Sequence, residues 1–167
     1  MFAVDLTMPS DAALALLPAA AIIGLWVAWS DMRSMKIPNR AVLALALCFV
    51  VIAPFVLPLP EIGWRLVALL VVLVFGFFVS SAGALGAGDA KYMAAMAPYV
   101  AWADAGAFMM ILALATLAAF VTHRALRAMP PVRAATPDWV SWTSAKFPLG
   151  MALGPTLAFY LALAAFS

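Results

Sequence analysis

The sequence predicts an all-α protein that crosses a membrane several times, and three observations support this fold class. The chain of 167 residues is 68% hydrophobic and only 10% charged, whereas a soluble domain carries about 25% charged residues. Its mean hydropathy is +1.13. Its apolar residues form long runs, and about 20 such residues cross a bilayer core as a helix. We therefore expect the bilayer to be part of the solvent and residues 1–167 to form a single domain.

Five apolar runs have the length of a membrane helix or nearly so, namely residues 12–30, 41–57, 66–82, 105–122 and 147–166. A sixth segment, residues 89–100, is too short to span alone and is predicted to be a short helix buried among the others. Pro38 occupies a first-turn position of the second helix, Pro58 and Pro60 are predicted to end that helix, and Pro98 the fourth. The sequence thus predicts about six transmembrane helices.

The charged residues predict the orientation, because Lys and Arg mark the cytoplasmic side of a membrane protein. With alternating spans, only Arg65 among the nine cations falls on the opposite side, together with four acids, Asp5, Asp11, Glu61 and Asp104. The other eight share one side: Arg33, Lys36, Arg40, Lys91, Arg124, Arg127, Arg133 and Lys146. The even number of helices then places both termini outside the cytoplasm. The first helix is preceded by acids and no cation, which is not typical of a cleaved signal peptide.

Cysteine and histidine offer little chemistry in this chain. Cys48 is the only cysteine and lies in an apolar run, and His123 stands beside Arg124 in what is predicted to be a loop or helix end. These residues do not have the spacing of a metal site. We expect neither a metal nor a cofactor.

Two acids are predicted to lie on the cytoplasmic side at the membrane boundary. Asp31 follows the first helix, and Asp89 opens the fourth after a glycine-rich break that contains Gly83, Gly86 and Gly88. Two neighbouring carboxylates that share a proton can hydrolyse a peptide, one ionised to activate water and one protonated to polarise the carbonyl. Taken singly, Asp31 also fits a solvated loop acid and Asp89 a residue favoured by the helix dipole.

The glycines of this break are expected to adopt unusual dihedral angles and to let a substrate strand approach the backbone closely. They also permit non-helical backbone at membrane depth, which occurs where the backbone is buried or lines a wet cavity.

Three segments of the chain resemble the type IV prepilin peptidases. Residues 31–39, DMRSMKIPN, are similar to that family's D-x(several)-I-P-N segment, and residues 86–91, GAGDAK, match its G-x-G-D-x-K motif. Residues 146–154, KFPLGMALG, resemble its closing K-x-P-[YL]-G segment. The three segments occur in the family's order and are separated by the expected helices.

The resemblance implies a six-helix aspartyl endopeptidase of the GxGD type, which removes the leader peptide of a prepilin or pseudopilin at the cytoplasmic membrane face. Asp31 and Asp89 would be catalytic, and Gly86, Gly88 and Lys91 would shape the active site. Candidate substrate contacts are Lys36, Pro38 and Asn39. The implied location is the bacterial cytoplasmic (inner) membrane, and the implied partners are the leader peptide and the bilayer, without nucleic acid.

Bifunctional members of that family add N-methylation and a cytoplasmic domain with paired CxxC motifs. This chain has one cysteine and about eleven residues before its first helix. We therefore expect leader cleavage without N-methyltransferase activity, as in the short peptidases of Flp-type tight-adherence pilus systems.

Further expectations concern charge. Asp89, at a helix N-terminus beside Lys91, is expected to be the ionised base, and Asp31 the protonated partner. Lys36, Arg40 or Lys91 would pair with a glutamate of the prepilin near the scissile bond, although these cations also fit a role in topology alone. Two rival functions stay open: a small proton-coupled transporter that uses the acids as a relay, and a catalytically silent assembly subunit.

Overall fold

The computed structural model describes residues 6–166, and within these residues every regular element is helical. The seven α-helices are α1 (Ser10–Ser34), α2 (Asn39–Ile52), α3 (Leu59–Ser81), α4 (Ala87–Met96), α5 (Ala105–Ala128), α6 (Pro130–Ala135) and α7 (Gly150–Phe166). Short 3-10 turns extend α2 and α4, precede α5 and interrupt the loop before α7. The predicted all-α fold is confirmed. Asp5, one of the acids used to predict orientation, lies outside the described residues.

Three of the described helical segments are long and apolar enough to cross a membrane, namely Ser10–Ser34, Leu59–Ser81 and Trp102–Ala128. Shorter apolar segments are Asn39–Phe55 and Gly150–Phe166. The second of the long segments, α3, has a mean hydropathy of 2.5 over its most apolar window, yet most of its large side chains are exposed, including Leu70, Phe75 and Phe78. Such a surface requires an apolar solvent. The chain is an all-α membrane protein, while six spans and external termini stay predictions.

The first helix runs further than the sequence indicated, and this changes the position of Asp31. Because α1 continues to Ser34, Asp31 lies in its last turn and not after it. The helix ends where Met35 takes a left-handed conformation, with φ 54°, and its N–H donates to the Asp31 carbonyl at 2.8 Å. This C-terminal cap fixes the backbone next to the acid.

Two further boundaries differ from those expected. Pro60 does not end α2 but lies in the first turn of α3, where its missing N–H costs no helical hydrogen bond. The fifth helix continues to Ala128, so His123 is not in a loop or at the helix end. It is 2% exposed and stacks on Trp142, which the cytoplasmic-loop prediction missed because Trp142 is distant in sequence.

The antiparallel pair of α1 and α7 forms the centre of the fold. Their backbones touch at Gly24 and Gly154: a Cβ added to Gly24 would lie 2.8 Å from the Gly154 carbonyl oxygen. Small residues that allow such an approach are typical of helix contacts in membranes. Around this pair, α2 packs on α1 and α4, α4 on α3, and α5 on α7. The start of α7 is thereby brought to the end of α1 that carries Asp31.

A buried polar cluster closes the opposite end of the bundle. Asp104 is 3% exposed and accepts four hydrogen bonds, from the N–H and hydroxyl of Thr7 (2.7 and 2.8 Å), the Met8 N–H (3.0 Å) and the Tyr160 hydroxyl (2.7 Å). Nearby, Arg65 is 1% exposed and pairs with Glu61 at 2.7 Å. We call this the Asp104 end, and the other the Asp31 end.

Candidate active site

A pocket of about 310 Å³ opens at the Asp31 end. Three pieces of backbone surround it, namely the last turn of α1, the loop into α2 and the first turn of α4. The side chains and glycines that line it are Asp31, Met35, Lys36, Ile37, Asn39, Gly86, Ala87, Gly88, Asp89 and Lys91. The structure therefore brings the two predicted acids, which are far apart in sequence, to one cavity.

Asp31 is held by the start of α7. Its side chain is almost completely buried, at 5% exposure, and its Oδ2 accepts a hydrogen bond of 2.7 Å from the Gly150 N–H. Gly150 is the first residue of α7, where backbone N–H groups have no partner within the helix. The bond stabilises negative charge on Asp31, because a donor at a helix N-terminus favours an anion.

Asp89 is the third residue of α4 and is partly buried. Its pKa is raised from the ordinary value of 3.8 to about 6. Burial is the largest cause, the negative charge of Asp31 acts in the same direction, and a hydrogen bond with the Gly86 backbone opposes both. While Asp31 is ionised, Asp89 therefore keeps its proton up to about pH 6. Burial also disfavours charge on Asp31, so the order in which the two acids ionise stays a prediction.

The glycines beside Asp89 provide space and not unusual dihedral angles. Gly86 has an extended backbone, with φ −66° and ψ 139°, which any residue adopts. A Cβ at Gly86 would collide with Asp89 Oδ2, and one at Gly88 would lie 3.3 Å from the Ile37 Cβ. Only Gly83 among the described glycines has a positive φ, at 78°. The expectation of unusual dihedrals is wrong for Gly86 and Gly88, and the close approach of a substrate strand stays a prediction.

The loop between α1 and α2 is fixed by a local hydrogen bond. The Ser30 hydroxyl donates to the Lys36 carbonyl at 2.9 Å, which ties the loop to the helix that carries Asp31. The next residue, Ile37, lies against Gly88 of α4.

Two cations at the pocket, Lys36 and Lys91, form no ion pair within the described residues. Lys36 and Lys91 line it and are exposed, and the only ion pair among residues 6–166 is Arg65–Glu61, at the other end. Asn39 also lines the pocket, whereas Pro38 precedes α2 as its N-cap and does not. Arg40 is exposed and lies outside the lining.

A comparison with models of protein families identifies the family of this chain. The model of the type IV leader peptidase family matches residues 18–123, which is well over half of the chain. The chain belongs to the type IV leader peptidase family. No curated protein and no solved structure matches it significantly. The resemblance to prepilin peptidases is confirmed at this level, and the matched residues include Asp31 and Asp89.

Family membership makes peptide hydrolysis the relevant chemistry, and the pocket has the groups for it. Two carboxylates of unequal environment face one cavity, as acid–base catalysis by a shared proton requires. Within residues 6–166, no three His, Cys, Asp or Glu side chains are grouped as a metal site would require.

Sequence reasoning assigned no role to Gly150. It is part of the closing KFPLG segment, which lies beyond the residues that the family model matches. Every residue except proline has a main-chain N–H, so the role of such a donor cannot be recognised from the residue type. The only available signal was its position at the predicted start of a helix in a segment shared with prepilin peptidases.

Proposed function

We propose that this protein is a membrane aspartyl endopeptidase that removes the leader peptide of an Flp-type prepilin or pseudopilin at the cytoplasmic membrane face. The single observation that carries the proposal is the pocket in which Asp31 and Asp89 meet beside two unpaired lysines. Family membership supports a leader peptidase in general. The distribution of Lys and Arg supports the cytoplasmic side for this pocket.

Asp31 and Asp89 divide the acid–base work between them. Ionised Asp31 accepts a proton from a water molecule between the carboxylates, and the water oxygen bonds to the scissile carbonyl carbon. Asp89 gives its proton to the carbonyl oxygen, which yields a neutral gem-diol. When the C–N bond breaks, Asp31 passes its proton to the leaving nitrogen, and a gem-diol hydroxyl returns one to Asp89. Both carboxyl groups then have their starting protonation.

The assignment of Asp31 as the base follows from its surroundings. Burial disfavours charge on both acids, but Asp31 accepts a hydrogen bond of 2.7 Å from the Gly150 N–H, whereas the charge of Asp31 adds to burial in raising the pKa of Asp89 to about 6. Lys91 was expected to favour an ionised Asp89, but it is exposed to solvent and its effect is screened. Because the two groups are coupled, their apparent pKa values belong to the pair.

Lys36 and Lys91 would bind a negatively charged residue of the substrate. An acid close to the scissile bond of a prepilin would lie near Lys36 and Lys91, which line the pocket without an ion pair of their own. Arg40 is a weaker candidate because it lies outside the lining. Leader peptides are basic in this family, so the unpaired charge of the dyad also attracts the residues before the scissile bond.

The transporter alternative finds no support in the geometry. A relay needs acids distributed through the membrane or at its midplane, whereas Asp31 and Asp89 line one open pocket at the end of the bundle. Catalytic silence is not favoured by a pocket that retains both acids.

The test is leader removal from a candidate prepilin by purified protein in lipid nanodiscs. We expect Asp31→Asn and Asp89→Asn each to reduce cleavage by about 10²- to 10⁴-fold, the usual contribution of one general acid or base. Asp11→Asn is the matched control, since Asp11 is exposed at the far end of α1. Cleavage at the unsubstituted rate by both dyad variants would refute the peptidase proposal.

A further inference from the structure

The contact between α7 and Asp31 is unusual because it joins the last helix to an acid 119 residues earlier. The backbone of Gly150 also lies very close to the Asp31 side chain. A Cβ added to Gly150 would lie 2.9 Å from the Asp31 Cβ and 3.0 Å from its Oδ2. No other residue type leaves room for the carboxylate to reach the N–H of residue 150.

Helix packing alone does not account for this glycine. The close crossing of α1 and α7 is made one turn further on, where Gly154 meets Gly24 backbone to backbone. Gly150 instead faces the Asp31 side chain. The atom that it presents is a donor, and no other hydrogen bond to the Asp31 carboxylate is present among the described residues.

The position of the Gly150 N–H is also fixed by the backbone around it. Pro148 is buried immediately before α7, and its carbonyl accepts from the Met151 N–H at 3.1 Å. The first turn of α7 is therefore fixed by its own hydrogen bonds, with the Gly150 N–H left to point at Asp31. A donor fixed in advance stabilises a charge without the cost of reorganisation.

We propose that Gly150 is a positioning residue whose main-chain N–H fixes the orientation of Asp31 and favours the ionised form of its carboxyl group against the opposing effect of burial. The inference rests on the proposed peptidase function and deepens it. It assigns to the start of α7, outside the part of the chain that the family model matches, the task of deciding which aspartate is the base.

The experiment compares Gly150→Ala with two other glycine variants. Gly154→Ala disturbs the crossing of α1 and α7 without touching Asp31, and Gly106→Ala adds a methyl group where nothing lies within 4 Å. For each variant, kcat and KM for prepilin cleavage are measured over a range of pH. A fourth protein, with the Leu149–Gly150 amide replaced by an ester, removes the N–H without adding a side chain and decides the matter if Gly150→Ala does not fold.

Loss of this charge-assisted hydrogen bond should move the acid limb of the kcat profile upward by about one pH unit. We expect kcat below that limb to fall about tenfold at unchanged KM in both Gly150→Ala and the ester protein. Gly106→Ala should match the unsubstituted protein, and Gly154→Ala should lose thermal stability while its acid limb stays in place.

An unshifted acid limb in the ester protein would overturn the inference, as would an equal shift in Gly154→Ala. Carbon-13 NMR of the labelled Asp31 carboxyl in the same proteins gives a second readout, since its ionisation midpoint should rise in parallel. This measurement needs no substrate. Absence of cleavage by the unsubstituted protein would therefore refute the peptidase proposal, while the NMR midpoints would still decide the role of Gly150.

Discussion

The two ends of the bundle each bury an aspartate, and they treat it very differently. Asp104 is 3% exposed and Asp31 5% exposed, so desolvation disfavours both charges. Asp104 accepts four hydrogen bonds from Thr7, Met8 and Tyr160. Asp31 accepts one, from Gly150. The Asp104 end is complete in the folded chain, whereas the Asp31 end has unused acceptor capacity that a water molecule or substrate can take.

The cations at the two ends also differ in the number of their partners. Arg65, at the Asp104 end, donates to Glu61 and to the Pro98 carbonyl, so its charge serves the fold. Lys36 and Lys91, at the Asp31 end, are exposed and have no ion pair within the described residues. The comparison separates a structural acid from the proposed catalytic one by the number of partners and not by burial.

The largest expected effect on stability is that of Asp104→Asn. The amide keeps one acceptor but turns donors toward the Met8 N–H or Tyr160 hydroxyl, which leaves buried groups without partners. We expect the free energy of unfolding in mixed micelles to fall by about 2–4 kcal/mol. Asp31→Asn, with one hydrogen bond to lose, should cost less. An equal loss in both variants would remove the distinction between the two ends.

The second effect on stability is expected at the crossing of α1 and α7, which lies between the two ends. Gly154→Ala forces the backbones of α1 and α7 apart, because the added Cβ would overlap Gly24. We expect about 2 kcal/mol of destabilisation, as for overpacking elsewhere. Gly63→Ala, where nothing lies within 4 Å, is the control and should change stability little. A harmless Gly154→Ala would mean that the helices are not in such close contact.

The pH dependence should distinguish the Asp31 end. Because the pKa of Asp89 is raised to about 6, this group loses its proton above that pH and the pair loses its acid. Cleavage should then fall about tenfold per pH unit above the limb. The same shift makes folded protein bind the proton more tightly than unfolded protein, so the free energy of unfolding should decrease as pH rises from 3.8 to about 6. Persistence of this decrease in Asp89→Asn would assign it to another group.

The smallest effect is expected from the exposed cations. Lys91→Ala should raise KM by about 2- to 5-fold for a prepilin with an acid near the scissile bond, the size of a solvent-exposed ion pair. The effect should weaken in high salt. Arg40→Ala, outside the pocket, is the control. Equal KM changes in the two variants would indicate general attraction and not a contact at the pocket.

The sequence predicted the helices and both acids of the pocket because these depend on local signals. Long apolar runs specify α1, α3 and α5, and the GAGD segment forms the start of α4. The predicted protonation order, which considered only neighbours in sequence, namely Lys91 and the dipole of α4, stays a prediction. The residue that matters for Asp31 is Gly150, which only the packing of α7 on α1 brings near.

Contacts of the same long range explain the errors. Asp104, Arg65 and Glu61 were read as signs of topology, yet Asp104 and Arg65 are buried in a hydrogen-bonded cluster with Thr7, Met8 and Tyr160. His123 was read as a residue of a loop or helix end, and it is buried beneath Trp142. Partners separated by tens of residues leave no periodic pattern in the sequence.

The most direct test measures cleavage per folded molecule in Asp89→Asn and Asp104→Asn side by side. Folded protein is quantified by its monodisperse fraction in nanodiscs, and leader removal is followed on one prepilin. We predict that Asp89→Asn is folded and inactive, and that Asp104→Asn yields less folded protein, which cleaves at the unsubstituted rate. Full activity per folded molecule in Asp89→Asn, or none in Asp104→Asn, would contradict the assignment of one end to catalysis and the other to structure.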